Sequence, residues 1–491
     1  MHPIPLLIAL FLAFGVETTP TPPDDPHGVL FLTLGAVLAV GSAAFLLGLG
    51  TAFLVRRRGH ADRRIRRAFV RGSRVLTLFT LAAFGWLIHF EEWPGLVLRT
   101  WGWRGSILVD DVLILAPFLL MQLLAWWGGF YGERAIHGVP AGHPSGRVLR
   151  HLYLLERQSL GLTLPVLLVF ILRNDVLGRL RPDWQLDPIA ETVEVAVLGL
   201  LVLTVAPLFL RMAWPTRSLP DGPLRDRLEG VARRSGFRCT DILVWDTDRT
   251  MLNACVAGVL PGLRYVLLSD ALIEALTERE IAAIFGHEIG HVAHRHLQYF
   301  LFFFVGSLAF LTMSSEVFAG LESQVATLTS GDLAMPSMMR DVAEGVVVLA
   351  TIGGLFGVVF GRLSRRFERQ ADVYGCKVVS CGSAECPPHF EVEGEHDGRT
   401  GLPHEVCPAG VRIFAEALAN VARLNGIAAE KRLWRHGSVA SRIAFLRQLG
   451  ESPGREAAFQ RQVRNARYGL GAALVGSVGL ASAMHWLGLW R

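Results

Sequence analysis

The chain has 491 residues, of which 51% are hydrophobic and only 19% charged, with a mean hydropathy of +0.39. A soluble protein of this length carries about a quarter charged residues, so the composition excludes an ordinary soluble globule and points to a membrane protein. The net charge of +5 comes from arginines clustered beside apolar runs, which is the positive-inside pattern and argues against a nucleic-acid partner.

The N-terminal "PLLIALFLAFG" is apolar but short, and the proline-rich, acidic "VETTPTPPDDPHG" follows it. Residues 1–28 therefore read as a signal-like or peripheral segment. Eight later stretches are long enough, or nearly so, to cross a bilayer that needs about 20 residues. They lie near 29–55, 75–90, 109–129, 158–172, 193–213, 299–315, 342–361 and 468–489. Five fall in a membrane domain over 29–213, two form a hairpin over 299–361, and the last closes the chain over 468–491.

Loop charge sets the orientation. Residues 56–74 hold nine arginines, which places that loop in the cytoplasm. Counting spans from there puts 214–298 and 362–467 in the cytoplasm. Loop 316–341 falls outside and carries one arginine and four acids. The expected architecture is a mainly α, polytopic protein of about eight transmembrane helices, with a cytoplasmic domain that contains a small β-sheet.

The first cytoplasmic piece reads as a helix near 222–234. The short strands "CTDILVWD", "MLNACVAG" and "RYVLLS" follow, and then helices from Asp270 and Thr277. Proline and glycine at 215–222 and 258–262 supply the turns. Thr277 is the expected N-cap of the second helix, with Glu280 in the capping-box position.

That helix contains "GHEIGHVAHRH". His287, Glu288 and His291 spell H-E-x-x-H. Positions i and i+4 share one helix face, so two imidazoles there can reach one Zn²⁺ at about 2.0–2.1 Å. Glu288 can then act as general base on a zinc-activated water. His294 lies too far from His287, about 10 Å of helical rise, to share the ion. His294 and His296 are expected at the membrane interface or behind the ligands. A better third ligand stands after the hairpin in "SRRFERQADVYG", where Glu368 and Asp372 are i, i+4 on a predicted helix. Glu368 can bind the metal, and Asp372 can accept a hydrogen bond from the far ring nitrogen of a ligating histidine.

H-E-x-x-H, a two-span hairpin and then S-R-x-x-E-x-x-A-D resembles the integral-membrane zinc metalloproteases. That family includes the type I CAAX prenyl protease and HtpX. The second motif is carried here by Ser364, Arg365, Glu368, Ala371 and Asp372. "LNACVAGVLPGLRYVLLS" looks like the family's segment before the active-site helix, an edge strand that pairs with substrate, with Asn253 and Ala254 in its Asn-Ala position. "HGSVASRIAFL" resembles the family's His-(x)5-Arg element, which gives His436 and Arg442, although Gly437 and Ser438 replace its usual prolines. In the family these two residues face the bound peptide or the developing oxyanion. The motifs span residues 215–450.

The resemblance implies a gluzincin-like domain holding one catalytic Zn²⁺ at His287, His291 and Glu368. It would act in the lipid bilayer as an endopeptidase on a C-terminal peptide or on misfolded membrane proteins. Apart from the resemblance, a bacterial plasma membrane is the expected location. A non-proteolytic metal-binding scaffold would normally have lost Glu288 or a ligand. A metal transporter would place its ligands mid-span.

An insert at 376–407 adds Cys376, Cys381, Cys386 and Cys407, with three histidines. Three readings stand: a second, structural metal site, a surface loop with packed thiols, or a disulfide clip facing outside.

Overall fold

The computed structural model describes residues 3–14, 21–59, 62–106, 108–138, 147–177, 188–247, 249, 251–304, 306–307, 310–311, 346–347, 350–381, 401–450 and 454–486. The chain divides into two compact units, Met1–Pro215 and Thr216–Arg491.

The first unit is helical: α1 (Pro3–Phe14), α2 (Pro26–Arg58), α3 (Arg63–His89), α4 (Val109–His137), α5 (Val148–Ile171) and α6 (Pro188–Ala213). The start of α2 is written locally. The Asp25 side chain accepts a hydrogen bond from the Gly28 N–H, and Pro26 occupies the first turn, where no N–H is needed. Its last turn holds Arg56, Arg57 and Arg58, cations that complement the carbonyl end of the helix. α2 and α4 meet backbone to backbone, because a Cβ at Gly48 would stand 1.8 Å from the Gly128 carbonyl oxygen. Small residues permit this close approach inside a bilayer.

Leu10, Val40, Phe84, Leu87, Phe118 and Met121 form the interior of this unit. Phe31, Leu38, Leu46, Val75 and Leu78 are exposed on the outer faces of α2 and α3. Such a surface suits lipid and not water. Among the described residues three helices are long and apolar enough to span a membrane: Pro26–Arg58, Arg64–His89 and Val109–Ile136. The stretches expected near 158–172, 193–213 and 468–489 fall largely on α5, α6 and the C-terminal helix. Most of 312–349, including loop 316–341, lies outside the described residues.

The second unit opens with a four-stranded sheet. Its strands are β1 (Thr216–Ser218), β2 (Asp241–Trp245), β3 (Ala254–Ala257) and β4 (Tyr265–Ser269), in the order β1-β2-β4-β3. β2 and β4 run parallel, and β1 and β3 are antiparallel edges. β4 lies between β2 and β3 and is buried along its whole length, as a strand covered on both faces is.

α7 (Pro223–Arg234) and α8 (Asp270–Ala275) flank the sheet. α9 (Glu278–Ala293) carries H-E-x-x-H, and α10 (Gly361–Val378) carries the second motif. α11 (Pro408–Leu424), α12 (Val439–Gly450) and α13 (Arg455–Trp486) complete the unit. Its core joins Ile242, Val244, Val266 and Leu268 of the sheet to Leu228 and Val231 of α7 and Phe285 and Ile289 of α9. α9 lies against α10 through glycines. A Cβ on Gly375 would meet the Ala283 carbonyl oxygen at 2.7 Å, and one on Gly286 would meet Val378 at 2.7 Å.

Candidate metal centre

α9 begins with a complete capping box: the Thr277 side chain accepts from the Glu280 N–H, and Glu280 accepts from the Thr277 N–H. Starting the helix there fixes which face the two histidines share. His287 and His291 turn their Nε2 atoms toward each other at 3.2 Å. Glu368, on the facing side of α10, brings Oε2 to 3.8 Å from His287 Nε2 and Oε1 to 3.9 Å from His291 Nε2.

In a tetrahedral zinc site with bonds of about 2.0–2.1 Å, neighbouring ligand atoms stand about 3.3 Å apart. The two nitrogens match that spacing, and the carboxylate stands about half an ångström further out. Among the described residues these three form the one group of His, Cys, Asp or Glu able to hold a metal ion. Their geometry and donor types fit zinc.

The surrounding charges hold this set in its ligating form. Asp372 is fully buried and places Oδ1 3.0 Å from His287 Nδ1. Its other partner is Arg442, whose Nε donates to Oδ2 at 2.8 Å and whose second nitrogen donates to Oδ1. Burial would raise the Asp372 carboxyl, but the charge and hydrogen bonds of Arg442 outweigh it and hold the group below the usual range. Glu368 behaves alike. Burial raises it, and a hydrogen bond from His436 with the charge of Arg442 pulls it well below. His436 Nδ1 stands 2.8 Å from Glu368 Oε1, and an Arg442 nitrogen stands 3.4 Å from Oε2. His291 is pushed down to about 3 by burial and then by His287, so its ring is neutral.

Glu288 faces a cavity of about 730 Å³, also lined by Asn253, Ala254, His287, His291 and His436. Burial pushes its carboxyl up to about 7, even with His287 and a hydrogen bond from the Val256 N–H acting against the shift. This last contact shows how β3 is turned. Asn253 exchanges both backbone groups with Ser269: its N–H donates to Oγ and its carbonyl accepts from the Ser269 N–H, each at 2.9 Å. Backbone direction alternates along an antiparallel strand. Ala254 and Val256 therefore turn their N–H and C=O groups to the open edge, beside the cavity.

Sequence reasoning missed Asn425 and left His296 open between the membrane interface and a place behind the ligands, which is where it stands. Asn425 brackets the entry to β3, with Oδ1 accepting from the Leu252 N–H at 3.1 Å and Nδ2 donating to its carbonyl at 2.8 Å. His296 contacts His291, Nδ1 to Nδ1, at 2.8 Å. No local signal announces Asn425, 173 residues away in sequence. The imidazole at 296 was visible, but its orientation was not.

Cys376, Cys381 and Cys407 neither line the cavity nor belong to the ligand group. Cys376 and Cys407 are fully buried, and Cys381 is partly buried. Cys407 Sγ accepts from the Gly410 N–H and so caps α11. Cys386 lies outside the described residues.

Residues 218–387 match the model of peptidase family M48. The CAAX prenyl protease 1 homolog of Dictyostelium discoideum is 25% identical over 191 residues, covering 38% of this chain and 44% of that protein. The protease HtpX homolog of Aeropyrum pernix is 27% identical over 209 residues, covering 40% and 63% respectively. The chain thus spans about half the length of these relatives. The crystal structure of Ste24p from S. mikatae matches with a TM-score of 0.49 at 16% identity, over 84% of this chain and 98% of that one. Residues 218–387 of this membrane chain are thus similar to the peptidase family M48 domain.

Proposed function

We propose that the protein is a membrane-embedded zinc endopeptidase whose ion is held by His287, His291 and Glu368. The observation that carries this reading is one juxtaposition. The three ligand atoms converge on the wall of a cavity of about 730 Å³ whose lining also includes β3, with Glu288 beside them. An extended peptide fits there as an added strand. Ala254 supplies an outward N–H and C=O for main-chain pairing, and Asn425 keeps the strand in place.

When bound, zinc would activate a water and polarise the scissile carbonyl. Glu288 is placed to take a proton from the attacking water and return it to the leaving amine. Its raised affinity for protons suits that exchange near neutral pH. Asp372 holds His287 with Nδ1 protonated, which leaves Nε2 free as a ligand atom. We assign the oxyanion to His436 and not to Arg442. His436 is partly exposed and lines the cavity, whereas the Arg442 guanidinium is engaged by Asp372 and Glu368.

The arginine-rich segment 56–74 supports a cytoplasmic active site, and the apolar runs support about eight spans. Substrates in this reading are peptides that reach the membrane surface, either C-terminal segments or misfolded membrane proteins. The test is metal removal. A zinc chelator should abolish cleavage of casein by the detergent-purified chain, and added zinc should restore it. Cleavage unchanged by the chelator would refute the reading.

A further inference from the structure

The two ligand histidines are backed in different ways. His287 rests on the carboxylate of Asp372. His291 touches another imidazole, and behind that imidazole lies a chain of polar side chains. His296 is buried, at 1% exposure, and stacks flat on Phe367 with ring centroids 4.2 Å apart. Its Nδ1 is 2.8 Å from His291 Nδ1, and its Nε2 is 3.0 Å from Gln370 Oε1. An Arg467 nitrogen lies 2.6 Å from the same Gln370 oxygen.

The protons along this chain follow from donor inventory together with burial. A guanidinium only donates, so the Gln370 atom facing Arg467 is its carbonyl oxygen. The Gln370 amide nitrogen points the other way, to Gln460. That oxygen can only accept, so His296 Nε2 carries a hydrogen. His296 is enclosed, with Phe367 against its face, His291 and His294 beside it and the Arg467 cation across Gln370, surroundings that disfavour a second ring proton, so its Nδ1 offers a lone pair. His291 must then donate from Nδ1, which leaves its Nε2 unprotonated and facing His287 and Glu368.

The backbone is shaped to bring His296 there. α9 ends at Ala293, and Arg295 takes a left-handed φ of +56°, unusual for a side-chain-bearing residue. Helix resumes at 296. A continuous helix would set residue 296 well off the face of residue 291, since five residues turn the helix about 500°. The break returns its ring to His291.

We infer that Arg467, Gln370 and His296 form a relay of positioning residues that locks His291 in its Nδ1–H tautomer and so presents Nε2 as a metal ligand. The inference rests on the zinc reading above. His296 also borders the cavity, but no member of the relay is assigned a chemical step.

The test is zinc affinity, measured on the detergent-purified full chain by competition with a chromophoric chelator, with thermal midpoints as a fold check. His296→Leu keeps the bulk against Phe367 but has no acceptor. It should weaken zinc binding about 10–100-fold, the usual range for lost support behind a ligand. His296→Asn restores an acceptor oxygen where Nδ1 stood, and its affinity should stay within about threefold of wild type. Should His296→Leu lower the thermal midpoint, Gln370→Leu decides, because it leaves the ring in place and frees the tautomer. Weaker zinc binding there supports the relay, and unchanged binding overturns it. Equal losses in His296→Leu and His296→Asn would also overturn it, because ring packing would then be the cause. Absence of zinc binding in the wild type would instead remove the metal reading itself.

Discussion

Asp372→Asn is nearly isosteric, yet no orientation of the new amide satisfies the site. With its oxygen on His287 Nδ1, the amide nitrogen faces the Arg442 donors, 2.8 Å away at Nε in the wild type. With the oxygen on Arg442, the amide NH₂ faces His287 Nδ1. That nitrogen must then accept, which moves the ring proton to Nε2, where the metal should bind. The first orientation sets donor against donor, and the second blocks a ligand. Lost support behind a ligand weakens metal binding about 10–100-fold. Asp372 is fully buried and Arg442 nearly so, so removing one charge of this pair also costs about 3–5 kcal/mol of stability. Glu368, 3.4 Å from Arg442, is the remaining counter-charge and places the expected cost at the lower end. The assay is chelator competition for zinc together with detergent thermal unfolding on the same preparation. Zinc affinity within twofold of wild type and an unchanged midpoint would refute the assignment of Asp372 as the group that orients His287.

Ala254→Pro removes an N–H at an open strand edge, a position where proline is tolerated. Zinc content should be retained while kcat/KM on unstructured peptides falls at least tenfold; unchanged cleavage would exclude pairing at Ala254. Gly375→Ala drives a methyl group to 2.7 Å from the Ala283 carbonyl. Forcing α9 from α10 should cost about 1–3 kcal/mol and weaken zinc binding, read from the thermal midpoint and chelator competition. His436→Ala should lower kcat about 10²–10³-fold with zinc still bound, the usual effect of removing an oxyanion donor. A change in KM alone would place His436 in substrate binding.

What was legible in the sequence was local. The capping box at Thr277 and Glu280, the i, i+4 spacing of the histidines and the short apolar runs within 241–269 are written in neighbouring residues. The structure has the helix at Glu278–Ala293 and strands at Asp241–Trp245, Ala254–Ala257 and Tyr265–Ser269. β1 was not read, since three residues with one β-branched side chain carry no periodic signal. The order β1-β2-β4-β3 depends on non-local pairing that no window contains. His296 was visible as a residue but not as a contact, because its position depends on a left-handed turn at Arg295 where no glycine marks it. Arg442 carried a motif resemblance, yet its bidentate hold on Asp372 spans 70 residues. The charge and hydrogen bonding around the ligands thus come from α10, α12 and α13 together.

The central claim is that one helix carries two metal ligands and the base that works beside them. Cleavage of casein by the detergent-purified wild type and Glu288→Ala, with metal content determined on both, tests it most directly. The wild type alone should cleave, and each protein should carry about one zinc. Equal cleavage by both, or a wild type that cleaves without bound metal, would contradict it.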